Sequence, residues 1–273
     1  MSNTVPRPRP VALTIAGSDS GGGAGIQADL KTFAALGAFG TSVVTAVTAQ
    51  NTVEVRSIHS VSRAIIRDQI DVVFEDFPVA AVKVGMLGET STVDEVAAGL
   101  ERHSGPPVVV DPVMVSKSGA SLLAPEAVEA LRERLLPLAA IVTPNLPEAE
   151  VLLGRSLTSV DERLAGALEL ARRGPAVLLK GGHAGGDEVV DLLAAEGRGH
   201  QIRHPRIDTR ACHGTGCTLS AAIAAGLAAG RPLVAAVEEA IAYLAGALAG
   251  SPRLGRGAGP MDHLYALLPP EGD

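Results

Sequence analysis

Short apolar runs rich in β-branched residues alternate with longer Ala- and Leu-rich stretches along most of the chain. The short runs are continuous rather than alternately polar, which is typical of strands that helices cover on both faces. Strands are therefore predicted for residues 11–16, 41–48, 79–84, 108–111, 140–143 and 176–180. This order of elements predicts an α/β fold whose central, mostly parallel sheet carries helices on both faces.

Residue types that begin or end helices mark the segments between the strands. Residues 24–36 stop at Gly37, residues 91–103 begin beside Ser and Thr caps, and residues 125–135 carry a proline in the first turn. All of these are helix-end signals. Further helices are predicted for residues 146–153 and 218–229.

Two segments interrupt the alternation of strands and helices. Residues 52–61 alternate polar and apolar positions like an exposed strand. We expect them to form an edge flap over a site or a contact between subunits. Residues 189–194 and 200–207 predict a hairpin across the turn at residues 196–199.

No internal repeat or long linker divides the chain, so one domain is predicted for residues 11–268, with flexible ends at residues 1–10 and 269–273. The chain has 273 residues, of which 47% are hydrophobic and only 2% aromatic, so its core must be aliphatic. An acidic chain of net charge −7 without Trp lacks the basic, aromatic surface of nucleic-acid-binding proteins, so no nucleic-acid partner is expected.

The two cysteines, Cys212 and Cys217, cannot form a disulfide framework or a four-cysteine zinc site, and they favour a reducing compartment. The N-terminus has no apolar signal-peptide run. The most apolar stretches, residues 218–230 and 233–250, do not offer the ~20 apolar residues of a membrane span. A cytoplasmic protein without membrane contact is predicted.

Polar or glycine-rich residues follow every predicted strand, at the edge where open α/β sheets bind ligands. The blocks are AGSDSGGGAGIQADLKTF (residues 16–33), AQNT (49–52), GMLG (85–88), DPVMVSKSG (111–119), TPNLPEAE (143–150) and KGGH (180–183). A further turn, CHGTGC at residues 212–217, leads into a helix of small residues.

These blocks separate the possible nucleotide sites. No lysine follows a glycine, so the chain has no Walker A loop. Residues 23–28 match a dinucleotide-binding fingerprint, but the second strand ends at Ala49 and Gln50 rather than at the acid which such a site requires. Glycines before a helix leave backbone N–H groups free for an anion, so residues 213–217 predict a phosphate site. The alternative is that Gly214 and Gly216 only allow close helix packing.

Together, in this order, the blocks resemble the hydroxymethylpyrimidine/phosphomethylpyrimidine kinases of thiamin biosynthesis, a branch of the ribokinase-like superfamily. The resemblance runs from about residue 11 to residue 249. It implies a ribokinase-like three-layer sandwich, usually a homodimer, with a small edge flap or hairpin. It also implies phosphorylation of 4-amino-5-hydroxymethyl-2-methylpyrimidine by ATP and Mg²⁺, first to the monophosphate and then to the diphosphate. A monovalent cation is a further cofactor to be considered.

The resemblance implies a set of residues around the pyrimidine. These are Gly17, Asp29, Gln50, Met86 and Val113. The Gln50 amide carries a donor and an acceptor side by side, which matches the aminopyrimidine edge. The alternative is that Gln50 is only a turn residue.

On the ATP side the resemblance implies Asp111, Lys180, Asn145 and Glu148. Asp111 and Glu148 would organise Mg²⁺, directly or through water. Asp111 could instead stabilise the turn before Pro112, and Asn145 could simply cap the helix that follows it. His213 is either a loop residue that packs the turn or a catalytic group.

Cys217 stands where sugar kinases of the superfamily carry a catalytic aspartate. We expect the helix N-terminus to lower the pKa of its thiol, so that Cys217 could act as a base. A phosphate monoester is already ionised and needs no base, so Cys217 should matter more for the alcohol than for the monophosphate. The predicted catalytic residues are Lys180, Gly214, Thr215, Gly216 and Cys217.

Three other functions are weighed against this one. A pyridoxal or pyridoxine kinase would share the cysteine-type turn, but residues 113–123 lack the second cysteine that some of those enzymes carry. A non-catalytic pyrimidine sensor should show damaged phosphate elements, and here Asp111, Lys180 and the glycine-rich turn are intact. A sugar kinase is disfavoured because Cys217 replaces the expected aspartate.

Overall fold

The computed structural model describes residues 9–116, 119–183 and 185–267. Within them, nine strands form one sheet. They are β1 (Val11–Asp19), β2 (Phe39–Gln50), β3 (Val55–Ser60), β4 (Val79–Val84), β5 (Val108–Val110), β6 (Ile141–Val142), β7 (Ala176–Leu179), β8 (Glu188–Ala195) and β9 (Arg198–Pro205). Their order across the sheet is β3-β2-β1-β4-β5-β6-β7-β8-β9.

The six strands from β2 to β7 in this order are parallel, while β3 at one edge and the β8–β9 hairpin at the other join antiparallel. All six parallel strands were predicted from their continuous apolar runs. The mostly parallel sheet is thus confirmed. The parallel strands all end at one edge of the sheet, where their last residues meet.

Helices cover both faces of the sheet. They are α1 (Gly25–Ala35), α2 (Arg63–Asp76), α3 (Thr90–Arg102), α4 (Ala127–Ala130), α5 (Leu146–Leu153), α6 (Val160–Ala171), α7 (Thr215–Ala228) and α8 (Leu233–Ala249). One apolar layer joins α2 to α6 to the sheet, and a second joins α1, α7 and α8 to the opposite face. The predicted three-layer sandwich is confirmed.

Strand β1 shows how one sheet supplies both layers. Successive side chains of a strand point to opposite faces, so Leu13 and Ile15 enter the first layer and Ala12 enters the second. All three are fully buried. Small alanines in α7, such as Ala221 and Ala224, let this helix approach the sheet closely.

The helix predicted for residues 125–135 is broken in the structure. Only α4 is α-helical, and it continues as a π-helical turn at Leu131–Leu135 and a 3₁₀ turn at Leu136–Leu138. The predicted Ser or Thr cap of α3 is also wrong, because its N-cap is Glu89 and no side chain caps the helix. By contrast, α5 begins and ends as predicted.

The two irregular segments are an edge strand and a hairpin. β3 forms the exposed edge next to β2, and Asn51 closes the connecting turn by accepting the Val53 and Glu54 N–H groups. The β8–β9 turn is tighter than predicted, because Glu196 (φ 52°) and Gly197 (φ 72°) alone reverse the chain. Such turns match the twist of hairpin strands.

Of the predicted flexible ends, residues 1–8 and 269–273 lie outside the described residues. Pro10, at the end of the first predicted segment, accepts a hydrogen bond from the Phe39 N–H at 2.8 Å. In the described part of the chain, no helix is long and apolar enough to cross a bilayer.

Candidate active site

A cavity of about 920 Å³ lies at the carboxyl ends of the parallel strands. Every residue that the sequence proposed for the site lines this cavity, with the exception of Asp29. The lining residues among them are Gly17, Gln50, Met86, Asp111, Val113, Asn145, Glu148, Lys180, Gly214, Thr215, Gly216 and Cys217. Blocks that are far apart in sequence therefore meet at one place.

One end of the cavity is built around the ends of β1 and β2. The register of β1 shifts at Gly17, and a Cβ there would lie 3.0 Å from the Met86 Sδ. Gln50 ends β2, and its amide oxygen lies 3.3 Å from the Thr48 hydroxyl. Register shifts such as the one at Gly17 often change the direction of residues next to a site. This end offers an amide, a thioether and open backbone.

Asp19 is a site residue that the sequence argument missed. Its carboxylate accepts hydrogen bonds from the backbone N–H groups of Gly21, Gly23 and Ala24 and lies 2.8 Å from the His213 Nε2. Burial alone would raise the pKa of Asp19, but these bonds outweigh burial and lower it. Its place at the end of β1, before three glycines, was the available signal.

His213 therefore packs against the glycine-rich turn, which is one of the two roles that the sequence analysis left open for it. Because a carboxylate can only accept, the Nε2 of His213 donates to Asp19. The Gln50 Nε2 lies 3.2 Å from the same nitrogen. Both of these nitrogens are donors, so the imidazole ties the loop after β1 to the start of α7 and only lies beside the end of β2.

The two glycine-rich loops interlock. Gly214 has φ +82°, and a Cβ there would overlap the carbonyl oxygen of Gly23. A Cβ on Gly23 would in turn overlap the His213 ring. Only glycine fits both positions, so close backbone contact fixes the loop before α7 against the loop after β1.

The start of α7 is the anion-binding end of the cavity. Its N-cap is Gly214, which has no side chain to cap the first turn. The first N–H groups of the helix and its dipole therefore remain available for a ligand anion. A Cβ on Gly216 would lie 3.1 Å from Asp111 Oδ2 and 3.2 Å from the Lys180 Nζ. Backbone donors, a cation and a carboxylate thus converge.

Lys180 is held between two carboxylates. Its ammonium lies 2.9 Å from Asp111 Oδ1 and 3.9 Å from Glu148 Oε2. Burial would lower the pKa of Lys180, but the two carboxylates outweigh burial and raise it. The lysine is therefore a fixed positive charge at the edge of the sheet.

Asn145 and Glu148 form a capping box at the start of α5. The Glu148 N–H donates to Asn145 Oδ1 at 2.9 Å, and the Asn145 N–H donates to Glu148 Oε2 at 2.7 Å. The capping interpretation of Asn145 is thus correct, although both residues also line the cavity. Burial raises the pKa of Glu148 to about 7, with Lys180 opposing and Asp111 adding to the shift.

The expectation for the Cys217 thiol is wrong in sign. Burial raises the pKa of Cys217 to about 11, and the nearby Lys83 lowers it only in part. The helix N-terminus therefore does not produce a thiolate in the free protein. Burial is the largest cause of the raised pKa, because a thiol removed from solvent loses the water that stabilises its charged form.

The contact of Asp29 with the pyrimidine stays a prediction. Asp29 is fully buried and does not line the cavity. Its carboxylate instead pairs with the ammonium of Lys83 at 2.8 Å and accepts from the Thr14 hydroxyl at 2.6 Å. Lys83, a buried lysine inside β4, was not singled out from the sequence.

The far end of the cavity is apolar and was not resolved by sequence reasoning. Ile241, Leu244 and Leu248 of α8 line it on one side. The cavity lining also includes His204, which lies 3.0 Å from the carboxylate of Asp191. The Asp191 carboxylate raises the pKa of His204 more than burial lowers it. This end suits a flat, weakly polar ring.

Magnesium fits this site only together with a ligand. Among the described residues, no group of three or more His, Cys, Asp or Glu side chains could hold a metal ion. Asp111 and Glu148 provide two carboxylates beside the anion-binding turn. Mg²⁺ is commonly held by one or two carboxylates, water and substrate phosphates. The donor set fits an ion that arrives with a nucleotide.

Comparisons with known proteins agree with this geometry. The sequence model of the family described as phosphomethylpyrimidine kinase matches residues 19–262. A hydroxymethylpyrimidine/phosphomethylpyrimidine kinase of Rhizobium meliloti is 53% identical over 259 residues, covering 93% of this chain and 97% of the relative. The thiamine biosynthesis bifunctional protein ThiED of Geobacter sulfurreducens is 50% identical, and the match covers 96% of this chain and 54% of that protein.

A solved structure is similar over nearly the whole chain. The ADP complex of Bacillus subtilis pyridoxal kinase superposes with a TM-score of 0.89 at 36% identity, covering 96% of this chain and 100% of the other. The likeness confirms the ribokinase-like fold that the sequence predicted.

Proposed function

The chain belongs to the phosphomethylpyrimidine kinase family, and from this premise we propose that it phosphorylates 4-amino-5-hydroxymethyl-2-methylpyrimidine with ATP. A second transfer converts the monophosphate to the diphosphate, for thiamin biosynthesis. The observation that carries the proposal is one continuous cavity with an amide-lined end, a convergent anion site and an apolar end. These suit the pyrimidine, the transferred phosphoryl group and adenine, respectively.

The pyrimidine is held at the end of β2. The Gln50 amide offers a donor and an acceptor to the exocyclic amine and neighbouring ring nitrogen. Gly17, Met86 and Val113 line the space beside it. His213 and Asp19 hold the surrounding backbone in place. The acceptor group then points toward the first turn of α7.

Phosphoryl transfer depends on position and charge. Asp111 and Glu148 would hold Mg²⁺ together with the nucleotide, and the ion would supply neutralisation of phosphate charge. Lys180 and the backbone N–H groups of residues 214–217 stabilise the charge that develops on the transferred group. The monophosphate acceptor is already anionic. The alcohol must lose a proton, and Cys217, which lies at the helix start, receives it once its own thiol has lost a proton to water.

Pyridoxal kinase is the second candidate, because the superposed structure carries that activity. The 53% identity to the Rhizobium meliloti enzyme, compared with 36% to the pyridoxal kinase, favours the pyrimidine. A non-catalytic sensor has less support, since Asp111, Lys180 and the turn before α7 meet in one place.

The deciding experiment measures ADP release from Mg-ATP with three acceptors in parallel: the hydroxymethylpyrimidine, its monophosphate and pyridoxal. We expect turnover of both pyrimidines and loss of both activities in a Lys180→Met variant. Arg155→Met, which removes an exposed cation paired with Glu169, should behave like the unsubstituted protein. Turnover of pyridoxal alone would overturn the pyrimidine assignment, and no turnover with any acceptor would favour the sensor.

The proposed function also includes a co-substrate, cofactors, a partner and a site of action. ATP and Mg²⁺ are the co-substrate and the cofactor, and a monovalent cation stays a prediction from the resemblance. We infer a cytoplasmic site of action, since ATP is abundant there, and a homodimer whose contact includes β3. The protein acts on small molecules, without nucleic acid or membrane.

A further inference from the structure

The chain segment that follows α8 contacts both ends of the active site and has no role in the mechanism so far. We name this segment, residues 255–263, the C-terminal strap. Among the described residues that line the cavity, none belongs to the strap. Its contacts go instead to the turn after β2 and to the start of α7, which are far apart in sequence.

The first attachment of the strap is to Thr52, two residues after Gln50 in the turn between β2 and β3. The Gly257 N–H donates to the Thr52 hydroxyl at 3.2 Å. A Cβ on Gly257 would overlap the Thr52 carbonyl oxygen, and a Cβ on Gly255 (φ +83°) would overlap the Thr52 side chain. Backbone contact this close requires glycine at both positions. The strap therefore lies directly on the turn that follows Gln50.

The second attachment of the strap is to the start of α7. The His213 N–H donates to the Gly259 carbonyl at 3.2 Å, and the Gly259 N–H donates to the Arg210 carbonyl at 3.1 Å. Further along the strap, the His263 Nε2 lies 3.0 Å from the Thr218 hydroxyl, and both of these side chains are buried. The strap thus holds α7 on both sides of its anion-binding first turn.

The strap is itself anchored to α8. The Tyr243 hydroxyl donates to the His263 carbonyl at 2.7 Å, and the Asp262 N–H donates to the Ala247 carbonyl at 3.0 Å. Met261 and His263 are each only 3% exposed. The strap is therefore a fixed part of the fold, and a displacement at one attachment is transmitted to the other.

Direct contact between the end of β2 and the start of α7 is weak. The Gln50 Nε2 and the His213 Nε2 lie 3.2 Å apart, but both are donors, because the His213 Nε2 donates to Asp19. They form no hydrogen bond with each other. One indirect connection runs through the loop after β1, where the Ser20 hydroxyl bonds to the backbone of Gln50. The strap provides a second connection, from outside the cavity.

We propose that the C-terminal strap sets the distance between the acceptor at Gln50 and the anion-binding turn of α7, and that His263 is the positioning residue which attaches the strap to α7. Neither His263 nor Thr218 lines the cavity, so both act through the backbone of the helix. Phosphoryl transfer needs the reacting atoms close and aligned, and a small misplacement can lower the rate about a hundredfold. The inference deepens the proposed function and rests on it for the identity of the acceptor.

The first test compares the kinetics of His263 variants, with whichever of the three acceptors the protein turns over. His263→Leu removes the polar contact with Thr218, so kcat should fall by about ten- to a hundredfold while KM changes little. His263→Gln should restore much of kcat, because its amide can reach the Thr218 hydroxyl. Thr218→Val combined with His263→Leu should lower kcat no more than His263→Leu alone, as expected of two residues that act through one contact.

Tyr243→Phe is the matched control for a purely structural effect. It removes a buried hydrogen bond to the carbonyl of the same residue, His263, and leaves the imidazole beside Thr218. It should lower the Tm without lowering kcat. An equal fall of kcat in Tyr243→Phe and His263→Leu would overturn the positioning role, as would a kcat in His263→Gln that is as low as in His263→Leu.

The second test needs no acceptor and measures hydrogen–deuterium exchange of the full chain by mass spectrometry. Thr52→Val removes the hydroxyl that accepts from the Gly257 N–H and keeps the shape of the side chain. Exchange should accelerate severalfold in peptides that cover the start of α7, where the His213 N–H is bonded to the strap. Glu54→Gln alters the same turn only at its exposed pair with Arg56, and it should leave these peptides unchanged.

The two tests separate this inference from the proposed function. Unchanged exchange at the start of α7 in Thr52→Val would overturn the strap as a connection between the two ends, whichever acceptor the protein uses. Absence of turnover with all three acceptors would contradict the proposed function, and the exchange measurement would still decide whether the strap connects Thr52 to α7.

Discussion

At the scale of a single residue, we expect the Gln50 side chain to determine the affinity for the pyrimidine. Its side chain lies at the end of β2, between Thr48 and His213, and lines the cavity. Gln50→Ala removes two ligand hydrogen bonds of about 1 kcal/mol or more each, so KM for the pyrimidine should rise by about ten- to hundredfold. Steady-state kinetics with saturating ATP measure this change.

Gln69→Ala is a matched control for that variant. The Gln69 amide makes three hydrogen bonds, two with the backbone of Val44 at 2.9 and 3.2 Å and one to the Ile65 carbonyl at 3.3 Å, and none of them reaches the cavity. Its loss should lower stability and leave KM unchanged. An unaltered KM in Gln50→Ala would remove Gln50 from the pyrimidine site.

Among single residues, position was predictable from sequence and charge state was not. Asp111 and Lys180 follow apolar strands, so the rule that ligands bind at the ends of parallel strands placed them correctly. The full burial of Asp29 and the raised pKa of Cys217 were not predicted, because burial and the unforeseen partner Lys83 determine both. Such partners come from distant strands and carry no local sequence signal.

At the scale of elements, the interlocked loops make a sharp prediction. Gly214→Ala adds a methyl group that overlaps the Gly23 carbonyl and displaces the start of α7. The anion-binding N–H groups then lose their alignment, so kcat should fall by two orders of magnitude or more with both acceptors, as removal of an oxyanion donor does. Stopped assays of ADP release measure the loss.

Gly37→Ala provides the control for this substitution. Gly37 has the same φ of +82° as Gly214, but a Cβ there would meet nothing within 4 Å. Both variants therefore carry backbone strain of about 1 kcal/mol in unfolding free energy. Only the one at residue 214 should lose activity, and an equal loss of kcat in Gly37→Ala would show that strain alone is responsible.

Full burial made the parallel strands predictable. The parallel strands read as continuous apolar runs, because helices cover both of their faces. Helix α2 was not predicted, and only Ile66 and Ile70 of its residues are buried, so its apolar pattern is sparse. The π-helical turn at Leu131–Leu135 likewise leaves no signal beyond an ordinary helical pattern.

At the scale of the whole molecule, the exposed edge of the sheet at β3 is a candidate surface for binding another chain. Five of the six residues of β3 are exposed, and beyond β3 no described strand continues the sheet. Ile58 of β3 and Val47 of the neighbouring β2 expose apolar side chains, with exposed fractions of 41% and 51%. Open apolar edges invite pairing with another chain. A second copy of this chain is the proposed occupant.

The homodimer is tested by light scattering after gel filtration. We expect a mass about twice the 27.7 kDa of the chain, and Ile58→Lys should shift it toward the monomer, because a buried unpaired charge disfavours the contact. Val72→Lys, at an apolar residue that is 58% exposed on α2, should leave the mass unchanged.

The flap adjoins Gln50 through the turn at Asn51. Association should therefore order the pyrimidine end of the cavity, and Ile58→Lys should raise KM for the pyrimidine more than KM for ATP. A monomeric mass for the unsubstituted protein would exclude this arrangement.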